Sequence, residues 1–152
     1  MTKKNKALIS ILFTVMIFLT FIYFNEIKNE EILERATLDS TEILIEKVQT
    51  DKERALGLSG RQSIGRADGM LFFFDSEGQH RIWMKDMFFS IDIIWIDSSG
   101  KVVFIEERIS PETFPKVFKS DKPAKFILEV EAGMAEREGW GVGSSFVLES
   151  EN

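Results

Sequence analysis

The stretch from Gly69 to Asp97, GMLFFFDSEGQHRIWMKDMFFSIDIIWID, constrains this chain more than any other. It sets three apolar runs, Met70–Phe74, His80–Met84 and Ile91–Asp97, around one polar knot, Lys85-Asp86. Short runs rich in Ile, Phe and Trp between turn residues predict strands rather than helices. In the last run Ile91, Ile93 and Trp95 fall on one face and Asp92, Ile94 and Ile96 on the other. Both faces look inward, so this strand is expected to be central. A carboxylate at its start costs several kcal/mol to bury unless a cation or backbone amides meet it. Asp92 is therefore expected to be buried and held by Arg54, Arg61 or Lys85.

A second constraint lies near the N-terminus. Ala7 to Phe24, ALISILFTVMIFLTFIYF, has Ser10, Thr14 and Thr20 as its only clearly polar residues. As a helix the run spans about 27 Å, close to the hydrocarbon thickness of a bilayer. Lys3, Lys4 and Lys6 precede it, and Glu26, Glu30 and Glu31 follow. Basic flanks stay in the cytoplasm, which places the N-terminus inside and the rest outside. A cleaved signal peptide shares the basic-then-apolar layout. However, Tyr23-Phe24-Asn25-Glu26 offers no small-residue cleavage site, and the chain has no cysteine for lipoprotein processing. The expected organisation is a cytoplasmic tail (1–6), a single-pass transmembrane anchor (7–24), a juxtamembrane linker (25–40) and an extracytoplasmic β domain (41–149). Without the three anchor lysines, 16 basic residues face 25 acidic ones, a formal charge of −9. That excess disfavours nucleic acid as a partner. The membrane is expected to be contacted through residues 7–24 alone.

Within the exported part, Asn25 to Asp39 is charged and is expected to be a solvated spacer. Thr41 to Val48 alternates, with Ile43 and Ile45 on one face and Glu42, Leu44 and Glu46 on the other, as a half-buried strand does. Thr50 and Glu53 have capping-box spacing, so Asp51 to Leu56 is expected to be a short helix closed by Gly57. Asp75 to Gly78 has turn composition and joins Met70–Phe74 to His80–Met84 as a hairpin. Lys101–Glu107, Lys125–Val130 and Ser145–Leu148 complete the strands, and Ala132–Glu138 makes a short helix ending at Gly139. Six or seven short strands with turn signals between them imply a mainly β fold, a small β-sandwich or barrel-like domain with one or two short helices.

With these elements placed, residues Leu44 to Val147 resemble the bacterial and archaeal family called domain of unknown function 192. The resemblance is carried by Glu53-Arg54, Gly57-Leu58 and Arg61, by Gly69-Met70-Leu71-Phe72 with Phe74, and by Trp83-Met84-Lys85. It continues through Ile91-Asp92-Ile93-Ile94, Ser120, Leu128-Glu129, Gly133 and Gly143. It implies a small, mostly β domain, often behind a signal peptide or anchor, and no established activity, substrate or cofactor. Some positions depart from the family pattern: Ser59 where methionine is usual, Asp86-Met87 in place of Asn-Thr, and Phe89-Ser90 in place of Ile-Pro. The Asn-to-Asp change adds a negative charge to the loop.

The candidate site is the Trp83 to Asp92 loop. Arg54, Arg61 and Lys85 beside Trp83 and Asp92 would suit a small anionic ligand, because guanidinium binds oxyanions in a bidentate fork. The same cations could instead neutralise Asp92 and Glu129, which would leave a purely structural scaffold. A third reading makes Asp92 and Glu129 a general acid–base pair in an envelope hydrolase. His80 is the only histidine, which excludes a multi-histidine metal centre, and it is expected on a hairpin surface. Asp75, Glu77 and Asp97 lack the EF-hand pattern. Neither metal nor cofactor is implied. Trp83 is expected to contribute to the core, with Phe88-Phe89 as an exposed patch. The leading expectation is a membrane-anchored binding module for a small anionic ligand or an envelope protein partner.

Overall fold

The computed structural model describes residues 3–27 and 33–149 and divides into an N-terminal helical unit and a β unit. The first unit is helix α1 (Lys3–Ile27). The side chains described along it from Ile11 to Tyr23 are exposed, including Phe18 and Phe21. Among the described residues no helix is long and apolar enough to cross a membrane. The side chains of residues 7–10 and 24, part of the apolar run, lie outside the described ones, as do residues 28–32 of the expected linker.

The β unit opens with a strand where a spacer was expected. Strand β1 (Leu33–Leu38) pairs antiparallel with β2 (Thr41–Val48) in a hairpin turned by Asp39-Ser40, with Asp39 at φ 53°. Its charges hid the strand: Arg35 is exposed and Glu34 half-buried beside Lys47 at 3.5 Å, while Ala36 and Leu38 are fully buried. Helix α2 (Asp51–Leu56) follows, then β3 (Gly69–Gly78), which runs parallel to β2 as a crossover connection allows. Asp75 to Gly78, expected as a turn, continues β3. The short β4 (Arg81–Trp83) pairs not with β3 but with β7 (Val117–Lys119) in a separate two-stranded ribbon.

Strands β5 (Ile91–Ile96), β6 (Val102–Ile109), β8 (Ala124–Glu131) and β9 (Phe146–Leu148) complete a seven-stranded sheet of order β6-β5-β8-β3-β2-β1-β9. As expected, β5 is central and buried on both faces. The sheet curls into a half-barrel, the barrel-like alternative, and the two-stranded ribbon is too small to form the second layer of a sandwich. Its two edges meet at one end, where Lys101 bridges Ser145 and Phe146 N donates to Gly100 O at 2.7 Å. Inside the curl Leu38, Ile45, Leu71, Ile94, Leu128 and Phe146 form one core, joined by Trp140 and by helix α3 (Met134–Glu138). On the outer face Met70, Phe72, Ile93, Trp95 and Ile127 form a second core under the loop after α2 and the β4–β7 ribbon. That outer layer builds the site.

Candidate functional site

Glu129 lies on the middle strand β8, opposite Met70 of β3 and Ile93 of β5. Facing pairs in a ladder share a face. Met70 and Ile93 belong to the outer core, so the Glu129 side chain points under α2 and the ribbon. It is only 4% exposed, and neither a hydrogen bond nor an ion pair reaches its carboxyl among the described residues. Burial alone pushes its pKa up to about 8, so at neutral pH it is mostly protonated.

This carboxyl forms part of the wall of a cleft of about 50 Å³ between α2 and β4. Leu58, Phe72, Ile82 and Met87 give it apolar walls, and Arg54, Leu56, Arg81 and Trp83 are among the other residues that line it. Outside, the apolar surface continues: Leu56 is 61% exposed and Trp83 51%. Trp83 meets Phe114 edge-on at 6.1 Å and pairs with Val117 across the ribbon. Trp83 is therefore a surface residue, contrary to the expectation. The ribbon has one covered face, which takes Ile82, and alternation leaves Trp83 outside.

The expected cations do not converge. Arg54 clamps its own helix to β3, donating to the carbonyls of Gln49 and Phe73 and to the Asp51 carboxylate, with its guanidinium 5.1 Å from the Phe74 ring. Arg61 binds Glu46 through two parallel bonds of 2.6 and 2.7 Å. Lys85 is exposed, its ammonium 5.8 Å from the Trp83 ring centre. Arg81, which sequence reasoning passed over, lines the cleft, and its guanidinium makes neither ion pair nor hydrogen bond among the described residues. Nothing in the local sequence marks it; only the pairing of β4 with β7 places it there.

Asp92 is fully buried, as expected, but backbone amides hold it rather than the three named cations. Its carboxylate accepts from Arg108 N at 2.7 Å, from Gly133 N at 2.9 and 3.0 Å and from Ala135 N at 3.0 Å. It thereby caps α3, whose own N-cap, Gly133, has no side chain to do so. Asp92 faces Val130 across the ladder and lies on the inner side of the sheet, so the carboxyls of Asp92 and Glu129 point to opposite faces. They cannot flank one scissile bond. The departures at Ser59 and Asp86 are conformational: Asp86 adopts φ 55°, which Asp and Asn tolerate, and its carbonyl accepts from Gly60 N at 2.8 Å. Ser59 Oγ donates to Lys85 O at 2.8 Å, which ties the loop after α2 to the β4–β5 loop.

His80 is half-buried and stacked on Phe74 at 3.5 Å, where burial lowers its pKa. A larger pocket, about 220 Å³, opens beside Phe89 and Met134. Of its charged groups, Asp68 accepts from Leu44 N at 2.8 Å and Arg137 pairs with Glu138 at 3.1 Å, while Glu131 is exposed at the rim. The cleft of Glu129 is the better site.

Two solved structures share this fold. A candidate transcription regulator from Sinorhizobium meliloti 1021 matches with a TM-score of 0.73 at 26% identity, over 78% of this chain and 95% of that one. A protein of unknown function from Novosphingobium aromaticivorans DSM 12444 matches with a TM-score of 0.69 at 24% identity, over 76% of this chain and 84% of that one. A search of the curated proteins gives no match. The profile of domain of unknown function 192, an uncharacterized ACR, matches residues 34–148, the whole β unit from β1 to β9. The chain belongs to the domain of unknown function 192 family.

Proposed function

We propose that this protein is a membrane-tethered extracytoplasmic binding domain, and that the cleft of Glu129 is its ligand seat. One observation carries the reading: Glu129, a residue only 4% exposed whose carboxyl has no partner among the described residues, lines a cleft whose rim exposes Leu56 and Trp83. A buried polar group with no hydrogen bond lowers stability by about 1–3 kcal/mol. Such a group fits a site that is completed by something else. A hydrolase built on Asp92 and Glu129 lacks a common cleft for the two. Tethering rests on the apolar run 7–24 and its lysine flank. The regulator description of the Sinorhizobium protein does not transfer, since a domain with net charge −9 repels a phosphate backbone.

The test compares Glu129→Leu with the parent chain in urea melts from pH 5 to 9. Removing an unpartnered buried carboxyl should raise stability by about 1–2 kcal/mol at pH 5, where the group is neutral in the folded state. The gap must also depend on pH. The folded pKa, about 8, lies above the ordinary value of 4.5, so between them the folded state holds the extra proton. The parent's stability is then full below the ordinary value and falls by up to roughly 1.4 kcal/mol per unit until the folded pKa is passed. The advantage of the variant should be smallest at pH 5, grow to pH 8 and then level off. A variant less stable than the parent at every pH would make Glu129 structural and remove the argument for a ligand.

A further inference from the structure

The chemistry of the cleft selects the kind of ligand. Both charged side chains other than Glu129 in its lining are arginines, Arg54 from α2 and Arg81 from β4. The sheet neighbours of Glu129, Met70 and Ile93, are uncharged. Arg54 is neutralised by Asp51, whereas the guanidinium of Arg81 has no counter-ion among the described residues. A cation entering here would meet one unbalanced positive charge and an acid that must first ionise in an apolar setting. An oxyanion would meet a guanidinium fork and, in Glu129, an O–H donor.

Size and surroundings narrow the class further. A volume of about 50 Å³ is a few times the ~10–15 Å³ that one water needs and far below the roughly 300 Å³ of a small-molecule pocket, so it admits a head group and not a whole ligand. The ligand's body must lie outside, on Leu56 and Trp83, with Phe114 and Val117 beyond, all exposed. Head and body together describe an amphipathic molecule. A single planar oxyanion matches the guanidinium of Arg81.

We infer that the cleft takes the carboxylate of a small apolar monocarboxylic acid, with Arg81 as counter-ion, Glu129 as hydrogen-bond donor and Trp83 and Leu56 beneath the apolar tail. This rests on the cleft being a ligand seat and adds the ligand's charge and shape. Glu129 and the ligand share one proton, and no covalent step is involved. Binding requires that proton, so affinity falls as pH rises through the value at which Glu129 ionises, by up to tenfold per unit.

Isothermal titration of the full chain in lipid nanodiscs with hexanoate tests this, with empty nanodiscs as the blank and hexylammonium and hexanol as comparisons. Hexanoate should bind best of the three at pH 6.5 and weaken above pH 8. Arg81→Ala, an exposed site, should reduce hexanoate affinity at least tenfold without changing hexanol. Glu129→Gln keeps an N–H donor, so it should still bind hexanoate but lose the dependence on pH. Hexylammonium binding more tightly, affinity rising with pH, or hexanoate indifferent to Arg81→Ala would each overturn the inference. If Glu129→Leu stabilises the chain but hexanoate gives no heat beyond the blank, the seat stands and the ligand class assigned to it is wrong.

Discussion

Asp92 and Glu129 each stand between apolar neighbours in a strand, and the fold treats them oppositely. Strand alternation decides it, because a shift of one position moves a side chain to the other face of the sheet. Asp92 falls inside the curl, where amides of β6 and α3 converge on both its oxygens. Glu129 falls outside, where its neighbours are Met70, Ile93 and apolar cleft walls. Asp92 thus closes a structural joint between β5, β6 and α3. Asp92→Asn should lower stability by about 2–4 kcal/mol, because an amide N–H₂ would face backbone donors and leave at least one unsatisfied. It should leave the hexanoate affinity of the chain that remains folded unchanged, since the sheet separates the two sites. Urea melts and titration at one temperature check both halves, and a stable Asp92→Asn would mean the amides do not depend on the carboxylate.

At the scale of elements, legibility followed how local the determining forces are. Helix α2 was readable in full, because Thr50 Oγ1 accepts from Glu53 N at 3.2 Å and Glu53 accepts from Thr50 N at 2.9 Å within one turn. The two-faced burial of β5 was readable from an apolar run broken only by Asp92. Strand β1 was not, because its charged residues hide a pairing with β2 and β9 that only the assembled sheet reveals. Of the site, the residues Arg54, Trp83 and Glu129 were legible as candidates and all line the cleft. Their roles were not legible: Arg54 is engaged by its own helix, and Arg81 enters only through the β4–β7 ribbon. Closure of the curl is another long-range feature. Gly100 has φ +78°, and a Cβ there would stand 2.4 Å from Phe146 O, the neighbour that bonds back to Gly100 across the two sheet edges. Gly60 has φ +79° with nothing within 4 Å. Gly60→Ala should cost about 1 kcal/mol for the left-handed backbone alone, and Gly100→Ala clearly more, about 2–4 kcal/mol, because closure must open as well. Equal losses would show that the edge contact contributes nothing to stability.

For the whole molecule, charge and hydropathy are distributed in one direction along the chain. Lysines open it, an apolar run of eighteen residues follows, and an acidic domain takes up the rest. If the domain lies outside the cytoplasmic membrane, as proposed, the basic flank explains the orientation. An apolar rim made of Leu56 and Trp83 would in that setting be reachable from the aqueous side, where amphipathic acids partition between water and lipid. Protease added to intact spheroplasts should degrade the domain, while a cytoplasmic marker survives. Replacing Lys3, Lys4 and Lys6 with glutamate should lower the fraction that is degraded, because orientation is set by the positive flank rather than by the domain. A domain protected in intact spheroplasts would reverse the assigned topology. A mature chain beginning near Asn25 would replace the tether with a cleaved leader and leave the cleft's chemistry to be tested on a released domain.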